Sequence, residues 1–186
     1  IKTGQIDSKF GFTLPDGTAL NAINDALQLP NIQLDGIHCH IGSQIFDLNS
    51  YKYLVGKMLE FLVLVKNQTG KVLTELNLGG GFGIYYTKND CPPSIEEYSK
   101  TILDTVKQKC KELLMSPPKI YVEPGRSIVG SAGTTLYSAG TLKHIKGVRK
   151  YLAVDGGMYE NIRPALYDAS YEVYVANKMK EPHWET

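Results

Sequence analysis

Cysteine is scarce in this 186-residue chain: Cys39, Cys91 and Cys110 are its three. They form no Cys-x-x-Cys pair and are odd in number, which argues against a disulfide framework and for a reducing cytoplasm. Long apolar runs are missing as well. Nothing approaches the about 18 apolar residues that a membrane span needs, and the most apolar segment, Phe61-Leu-Val-Leu-Val65, lies within a helical pattern. Charge of one sign is also lacking: 20 Lys and Arg face 19 Asp and Glu, for a net charge of +1. The cations are scattered, so no field is available for nucleic acid or an acidic membrane surface. There is no leading Met and no signal-peptide pattern. The chain stops just after a strand-like run, so both ends read as cuts through a longer protein. What is present, 42% hydrophobic and 21% charged residues, is the composition of a globular protein.

The pattern along the chain is strand, loop, helix, repeated. Pro15-Asp-Gly17 is a turn signal, and residues 18–29 read as a helix with Ala19, Leu20, Ile23, Ala26 and Leu27 on one face. Residues 32–41 read as a strand ending in Gly42-Ser43-Gln44. Asn49-Ser50 is expected to cap a helix through Asn67, with Leu54, Met58, Leu62 and Val65 at helical spacing, widened by Val55, Leu59 and Phe61. Gly70 suits its stop. Residues 72–78 read as a strand, followed at once by Gly79-Gly80-Gly81-Phe82-Gly83. Ser94-Ile-Glu-Glu97 is a capping box, opening a helix to about Met115 with Tyr98, Ile102, Val106 and Leu113 inward. Lys119-Ile-Tyr-Val122 is the last strand of this kind. The strand ends near His40, Gly79 and Glu123 lie 39 and 44 residues apart, slightly long for (β/α)8 barrel units of about 30 residues, and too few to close a barrel. After Arg126 the texture becomes rich in Gly, Thr, Tyr and Val, without helical periodicity. Turns are expected at Ser131-Ala-Gly133, Ala139-Gly140 and Lys146-Gly147, and antiparallel strands most clearly at residues 148–154 and 171–176. The expected division is therefore 1–126, parallel α/β, and 127–186, mostly β.

Chemistry gathers at the strand ends. Glu123-Pro124-Gly125-Arg126-Ser127 delivers a carboxylate, a guanidinium and a hydroxyl at the end of a buried strand, where parallel α/β proteins present reactive groups. The same residues also suit a loop salt bridge. A carboxylate beside a pyridine nitrogen favours its protonated form, and Arg126 can clamp a carboxylate or phosphate with paired hydrogen bonds. Gly79-Gly80-Gly81 lets backbone N–H groups approach an anion. It is not a dinucleotide fingerprint, because Ile84 stands where the third glycine belongs, and no Walker Lys-Ser/Thr follows. His38 and His40 share one face of a strand by the two-residue repeat. No third or fourth ligand clusters with them, so no metal centre is expected. An imidazole stacked on an aromatic cofactor, or a histidine packed in the core, fits instead, and Ser43 can add a hydroxyl to a phosphate. Arg163 and Tyr167, four residues apart after Asp155-Gly-Gly-Met158, share a face if they form one helical turn. They suit either a carboxylate site or a surface pair.

His40-Ile-Gly-Ser43, Gly79-Gly80-Gly81 and Glu123-Pro-Gly-Arg126 stand in the order and spacing of the fold-type III pyridoxal phosphate decarboxylases, which the chain resembles. Ser8-Lys-Phe-Gly11, His40-Ile-Gly-Ser-Gln44, Gly81-Phe-Gly83, Asp155-Gly-Gly-Met158 and Arg163-Pro-Ala-Leu-Tyr167 are similar to the branch that decarboxylates meso-diaminopimelate. The resemblance runs to about Met179; residues 180–186 match nothing familiar. It implies an α/β fold: the C-terminal part of a (β/α)8 barrel, about units five to eight, then the first strands of a β domain. It also implies a homodimer with active sites at the interface. By motif, His40 would stack on the ring of pyridoxal 5'-phosphate and Glu123 would pair with its nitrogen, the two catalytic positions. Ser43, Gly79, Gly80, Gly81, Pro124, Gly125 and Arg126 would complete the cofactor site. Arg126, Arg163 and Tyr167 would grip the substrate carboxylates. The cofactor-bearing lysine of the family belongs to an earlier strand, and Lys9 is no substitute for it. The later Cys-Glu-Ser motif and the later cofactor-binding tyrosine are also absent, so the isolated chain is expected to be inactive. Decarboxylation of ornithine, arginine or carboxynorspermidine, and a non-catalytic cofactor-binding or structural fragment, are the alternatives.

Overall fold

The computed structural model describes residues 9–181. Residues 1–8, including Ser8 of the Ser8-Lys-Phe-Gly11 motif, and residues 182–186 lie outside the described residues. The chain divides into two compact units, one of residues 1–84 with 91–131 and one of residues 85–90 with 132–186.

In the first unit, helix α1 (Thr18–Leu27), strand β1 (Gly36–His38), α2 (Leu48–Thr69), β2 (Glu75–Asn77), α3 (Ile95–Glu112) and β3 (Lys119–Tyr121) alternate. The three strands form one sheet in the order β1-β2-β3, and both pairings are parallel. The register places His38 opposite Asn77 and Asn77 opposite Tyr121. All three strands therefore end at one sheet edge, joined by the long helical crossovers that parallel pairing needs.

The helical periodicity is met residue by residue. Leu54, Val55, Met58, Leu59, Phe61, Leu62 and Val65 of α2 are buried against Tyr98, Ile102, Val106 and Cys110 of α3 and against Leu76 and Leu78. The α3 capping box forms: the Ser94 hydroxyl accepts from the Glu97 N–H, and the Glu97 carboxylate accepts from the Ser94 N–H. Gly70 closes α2 in the left-handed conformation at φ 74°. The other end differs from the expectation. Asp47 caps α2, not Asn49-Ser50, because its carboxylate accepts the Asn49 N–H at 2.9 Å. The strands are also shorter than the apolar runs suggest. Ladder bonding nevertheless continues into the loops, with the Cys39 N–H donating to the Asn77 carbonyl and the Leu78 N–H to that of Tyr121, both at 3.0 Å. No helix among the described residues is long and apolar enough to cross a membrane.

A short helix unforeseen in the sequence, α4 (Gly125–Val129), follows β3 directly and runs into a 3-10 turn at Gly130–Ala132. One turn is too short to leave a periodic signature.

The second unit holds the antiparallel hairpin β4 (Ala139–Ile145) and β5 (Arg149–Val154), turned at Lys146-Gly147 with Gly147 at φ 79°. Ala139-Gly140, expected as a turn, lies within β4 where the register shifts between Ala139 and Leu142. A bulge uses the same glycine freedom as a turn. The strand expected at residues 171–176 does not form: residues 171–175 have no regular structure and Ala176–Lys178 is a 3-10 turn. Its alternating pattern has no partner strand among the described residues, and a strand without a partner leaves its backbone groups unpaired. Arg163–Tyr167 does form one helical turn, α5.

Candidate active site

The loops leaving β1, β2 and β3 meet at the carboxyl edge of the parallel sheet. Glu123 is reached two residues after β3, and its N–H donates to the Gly79 carbonyl at 2.8 Å. Its side chain is about half exposed, at 55%. Oε1 accepts from the Asn77 amide at 2.8 Å and lies 3.6 Å from His38 Nε2. The other Asn77 amide atom, Oδ1, accepts from the Gly79 N–H at 2.9 Å. His40, just past β1, accepts the Gly80 N–H on Nδ1 at 3.2 Å. A neutral ring with Nδ1 as acceptor carries its proton on Nε2.

The glycines allow this convergence. A Cβ on Gly79, at φ 65°, would lie 2.9 Å from His40 Nδ1 and 2.8 Å from the Cys39 carbonyl. One on Gly80 would lie 2.1 Å from the Glu123 carbonyl, and one on Gly81, at φ 91°, 2.2 Å from that of Gly42. Only residues without a Cβ fit there. Two of the three loop N–H groups, those of Gly79 and Gly80, are already engaged by Asn77 and His40, so the loop is not a bare cradle of donors.

Gln44 holds the far side. It sits at φ 60°, rare for a residue other than glycine. Its amide donates to the Ile84 carbonyl at 2.6 Å and accepts from the Ile84 N–H at 3.2 Å. Arg126, one residue into α4, donates to the same Gln44 oxygen at 3.4 Å. Ser43 is exposed between Gln44 and Gly42. Pro124 is the N-cap of α4 and its carbonyl accepts from Ile128. Gly125 donates to the Glu123 carbonyl at 2.8 Å, and a Cβ there would meet nothing within 4 Å.

Beneath the loops lies an aromatic triad. Phe82 stacks on Tyr98 at 4.5 Å between ring centres, and Tyr51 meets both edge-on at 5.2 and 5.5 Å. Both phenols serve the loops. Tyr51 donates to the Gly80 carbonyl at 3.0 Å, and Tyr98 donates to the Ile45 carbonyl while accepting from the Gly83 N–H at 3.1 Å. Burial pushes both phenols up from their ordinary range, so they remain neutral donors. Burial likewise raises the Cys39 thiol, which makes it a poor nucleophile. Tyr98→Phe would leave the Gly83 N–H and Ile45 carbonyl unpaired. It is expected to destabilise the full-length parent protein by about 1–3 kcal/mol in urea unfolding; an unchanged midpoint would contradict this role.

Arg163 and Tyr167 belong to the second unit. They share a face of α5, but the guanidinium donates to the Tyr171 hydroxyl at 2.7 Å, not to Tyr167, and lies 4.7 Å from the Tyr86 ring centre. Tyr167 is exposed. Asn77 and Tyr51 are site-building residues that the sequence did not single out; Gln44 stood out only as part of the His40–Gln44 motif and Tyr98 only as an inward-facing helix residue. Asn77 stands two residues before the glycine run, but the same strand also carries Thr74 and Glu75, so nothing in the sequence set it apart.

The residues at the sheet edge suit pyridoxal 5'-phosphate by their donor chemistry. There is a carboxylate for a pyridine nitrogen, an imidazole for the ring, and a hydroxyl, a guanidinium and glycine backbone for a phosphate. The loops after β1 and β3 contain no lysine to carry the cofactor, and Lys88, in the loop after β2, belongs to the second unit.

Comparison with known proteins agrees with this chemistry. The family model described as the pyridoxal binding domain of pyridoxal-dependent decarboxylases matches residues 1–130. A diaminopimelate decarboxylase of Bacillus subtilis is 50% identical over 186 residues, covering all of this chain and 42% of that protein. One from Staphylococcus aureus is 45% identical over 181 residues, covering 97% of this chain and 42% of its own length. The chain thus spans about two fifths of the length of these curated relatives. A crystal structure of diaminopimelate decarboxylase from M. jannaschii in co-complex with L-lysine superposes with a TM-score of 0.81 at 35% identity, over 91% of this chain and 38% of that one. A lysine/ornithine decarboxylase from Vibrio vulnificus complexed with cadaverine superposes with a TM-score of 0.72 at 26% identity, over 92% of this chain and 44% of that one.

Proposed function

The chain belongs to the pyridoxal-dependent decarboxylases, and from that premise we propose that its parent protein removes CO2 from meso-2,6-diaminopimelate to give L-lysine. The observation that carries this reading is the convergence of Glu123, His40 and the glycine loop at one sheet edge, in a chain 50% identical to a protein of that activity. When bound, pyridoxal 5'-phosphate supplies the sink for the electron pair left as CO2 departs. Glu123 holds the proton on the ring nitrogen that makes this sink effective, because an opposite charge nearby favours the protonated form. His40, fixed by the Gly80 N–H, lies against the ring. Ser43, Arg126 and the backbone of Gly81, Pro124 and Gly125 hold the phosphate, and the Gly79 and Gly80 backbone shapes its seat. Arg163 and Tyr167 grip a substrate carboxylate in the assembled protein. We assign 1–126 to the barrel, about its fifth to eighth units, and 127–186 to the start of a β domain. We further propose a cytoplasmic homodimer with its sites at the interface.

CO2 release by the full-length parent tests the reading. The assay is run in parallel on meso-diaminopimelate, ornithine, arginine and carboxynorspermidine. Turnover of meso-diaminopimelate well above the others is expected, and preference for another substrate would overturn the assignment. The similarity to a lysine/ornithine decarboxylase supports that second reading. Arg163 separates the two, since a second substrate carboxylate needs a cationic partner and a diamine tail does not. Arg163→Ala is expected to lower kcat/KM for meso-diaminopimelate about 10- to 100-fold, the loss of a charge-assisted hydrogen bond. An unchanged value would favour the diamine-type substrates.

A further inference from the structure

The carboxylate of Glu123 does not choose its own position. It is about half exposed on a loop, and a free glutamate there samples several rotamers. One side chain from the neighbouring strand holds it: Asn77, the last residue of β2, opposite His38 on one side and Tyr121 on the other. Its amide nitrogen donates to Glu123 Oε1 at 2.8 Å while its oxygen accepts the Gly79 N–H at 2.9 Å. An asparagine supplies both a donor and an acceptor on one planar group. A single rigid amide thereby joins the carboxylate to the first residue of the glycine loop. It also fixes which carboxylate oxygen is left over: Oε1 takes the amide, and Oε2 has no hydrogen bond among the described residues.

We propose that Asn77 is the positioning residue of the Glu123 carboxylate, locking Oε1 so that Oε2 faces the cofactor ring and tying that orientation to the Gly79 loop. The inference rests on the reading of Glu123 as the partner of the ring nitrogen. The other ionisable group against the carboxylate is His38, whose Nε2 lies 3.6 Å from Oε1 without forming a hydrogen bond.

Asn77→Asp in the full-length parent is the discriminating change. It keeps the acceptor for Gly79 and the side-chain volume, removes the donor to Glu123 and sets a second carboxylate against it. A residue that merely anchors the glycine loop would tolerate it. A positioning residue would not. The variant is expected to weaken binding of pyridoxal 5'-phosphate, measured by equilibrium dialysis on the cofactor-stripped protein, about tenfold. It is also expected to lower kcat with KM little changed. In a Glu123→Gln background the same change is expected to add little, because its effect runs through Glu123. If Asn77→Asp does not give folded protein, Asn77→Ser, which removes the bridge without adding charge, carries the same cycle. Wild-type affinity and kcat in the Asn77 variants, or losses that multiply with those of Glu123→Gln, would overturn the proposal while leaving the role of Glu123 intact. No effect from Glu123→Gln itself would overturn the reading beneath it.

Discussion

Glu123→Gln in the full-length parent is expected to lower kcat by on the order of 10²-fold, with KM changed much less. The two side chains are nearly the same size, and Gln can still accept the Asn77 hydrogen bond through its own oxygen, so the loop should keep its shape. What is lost is the charge. A neutral amide cannot favour a protonated pyridine nitrogen, and the ring then accepts an electron pair poorly. A charge pair near 4 Å is worth several kcal/mol at the effective dielectric of a protein surface, roughly 4 before screening. Exposure of Glu123 reduces that figure, which is why the expectation is about two decades and not more. Steady-state kinetics on the cofactor-saturated protein measure it. Loss confined to KM would mean that Glu123 binds substrate and does not tune the cofactor.

Gly80→Ala is expected to be among the most damaging Gly→Ala changes among the described residues. The added Cβ would fall 2.1 Å from the Glu123 carbonyl, a contact with backbone that no side-chain rotation relieves. The same glycine gives its N–H to His40 and its carbonyl to Tyr51. The loop must therefore move away from all three groups together. Overpacking of this kind destabilises by about 1–3 kcal/mol and occasionally more, and thermal unfolding of the cofactor-free parent measures it. Cofactor affinity is expected to fall further than stability alone accounts for, since His40 and Glu123 are displaced with the loop. Gly125→Ala is the matched control: its Cβ has open space, so stability is expected to change by no more than about 1 kcal/mol. Equal destabilisation by the two would refute the steric argument.

These predictions depend on features of unequal legibility. The apolar stripe of α2 could be read in advance because a 3.6-residue period must face a core, and Leu54, Met58, Leu62 and Val65 do so. The capping box at Ser94 and Glu97 is a local pattern with a local partner, and it formed. So did the placement of Glu123 and the glycine run at the ends of parallel strands, since crossover connections force parallel strands to finish on one edge. Asn77 was not legible. Its role follows from the register that places it between His38 and Tyr121, a long-range pairing that no window of sequence contains. The same holds for Tyr98, which counts as one more apolar-face residue on α3 until its hydroxyl is seen between Ile45 and Gly83. Residues 171–176 show the opposite failure: the alternation is there, but a strand also needs a neighbour. The Arg163 turn was legible as a turn, whereas its contact with Tyr86 comes from a segment more than 70 residues away in sequence and its bond to Tyr171 from irregular chain eight residues on.

We propose that the carboxyl edge of the β1-β2-β3 sheet seats pyridoxal 5'-phosphate around Glu123. A crystal structure of the full-length parent with the cofactor tests it most directly. The pyridine nitrogen is expected within hydrogen-bonding distance of the Glu123 carboxylate, the His40 ring against the cofactor, and the phosphate by Ser43, Gly81 and Arg126. A cofactor bound elsewhere, or one whose ring nitrogen faces a group other than Glu123, would contradict it.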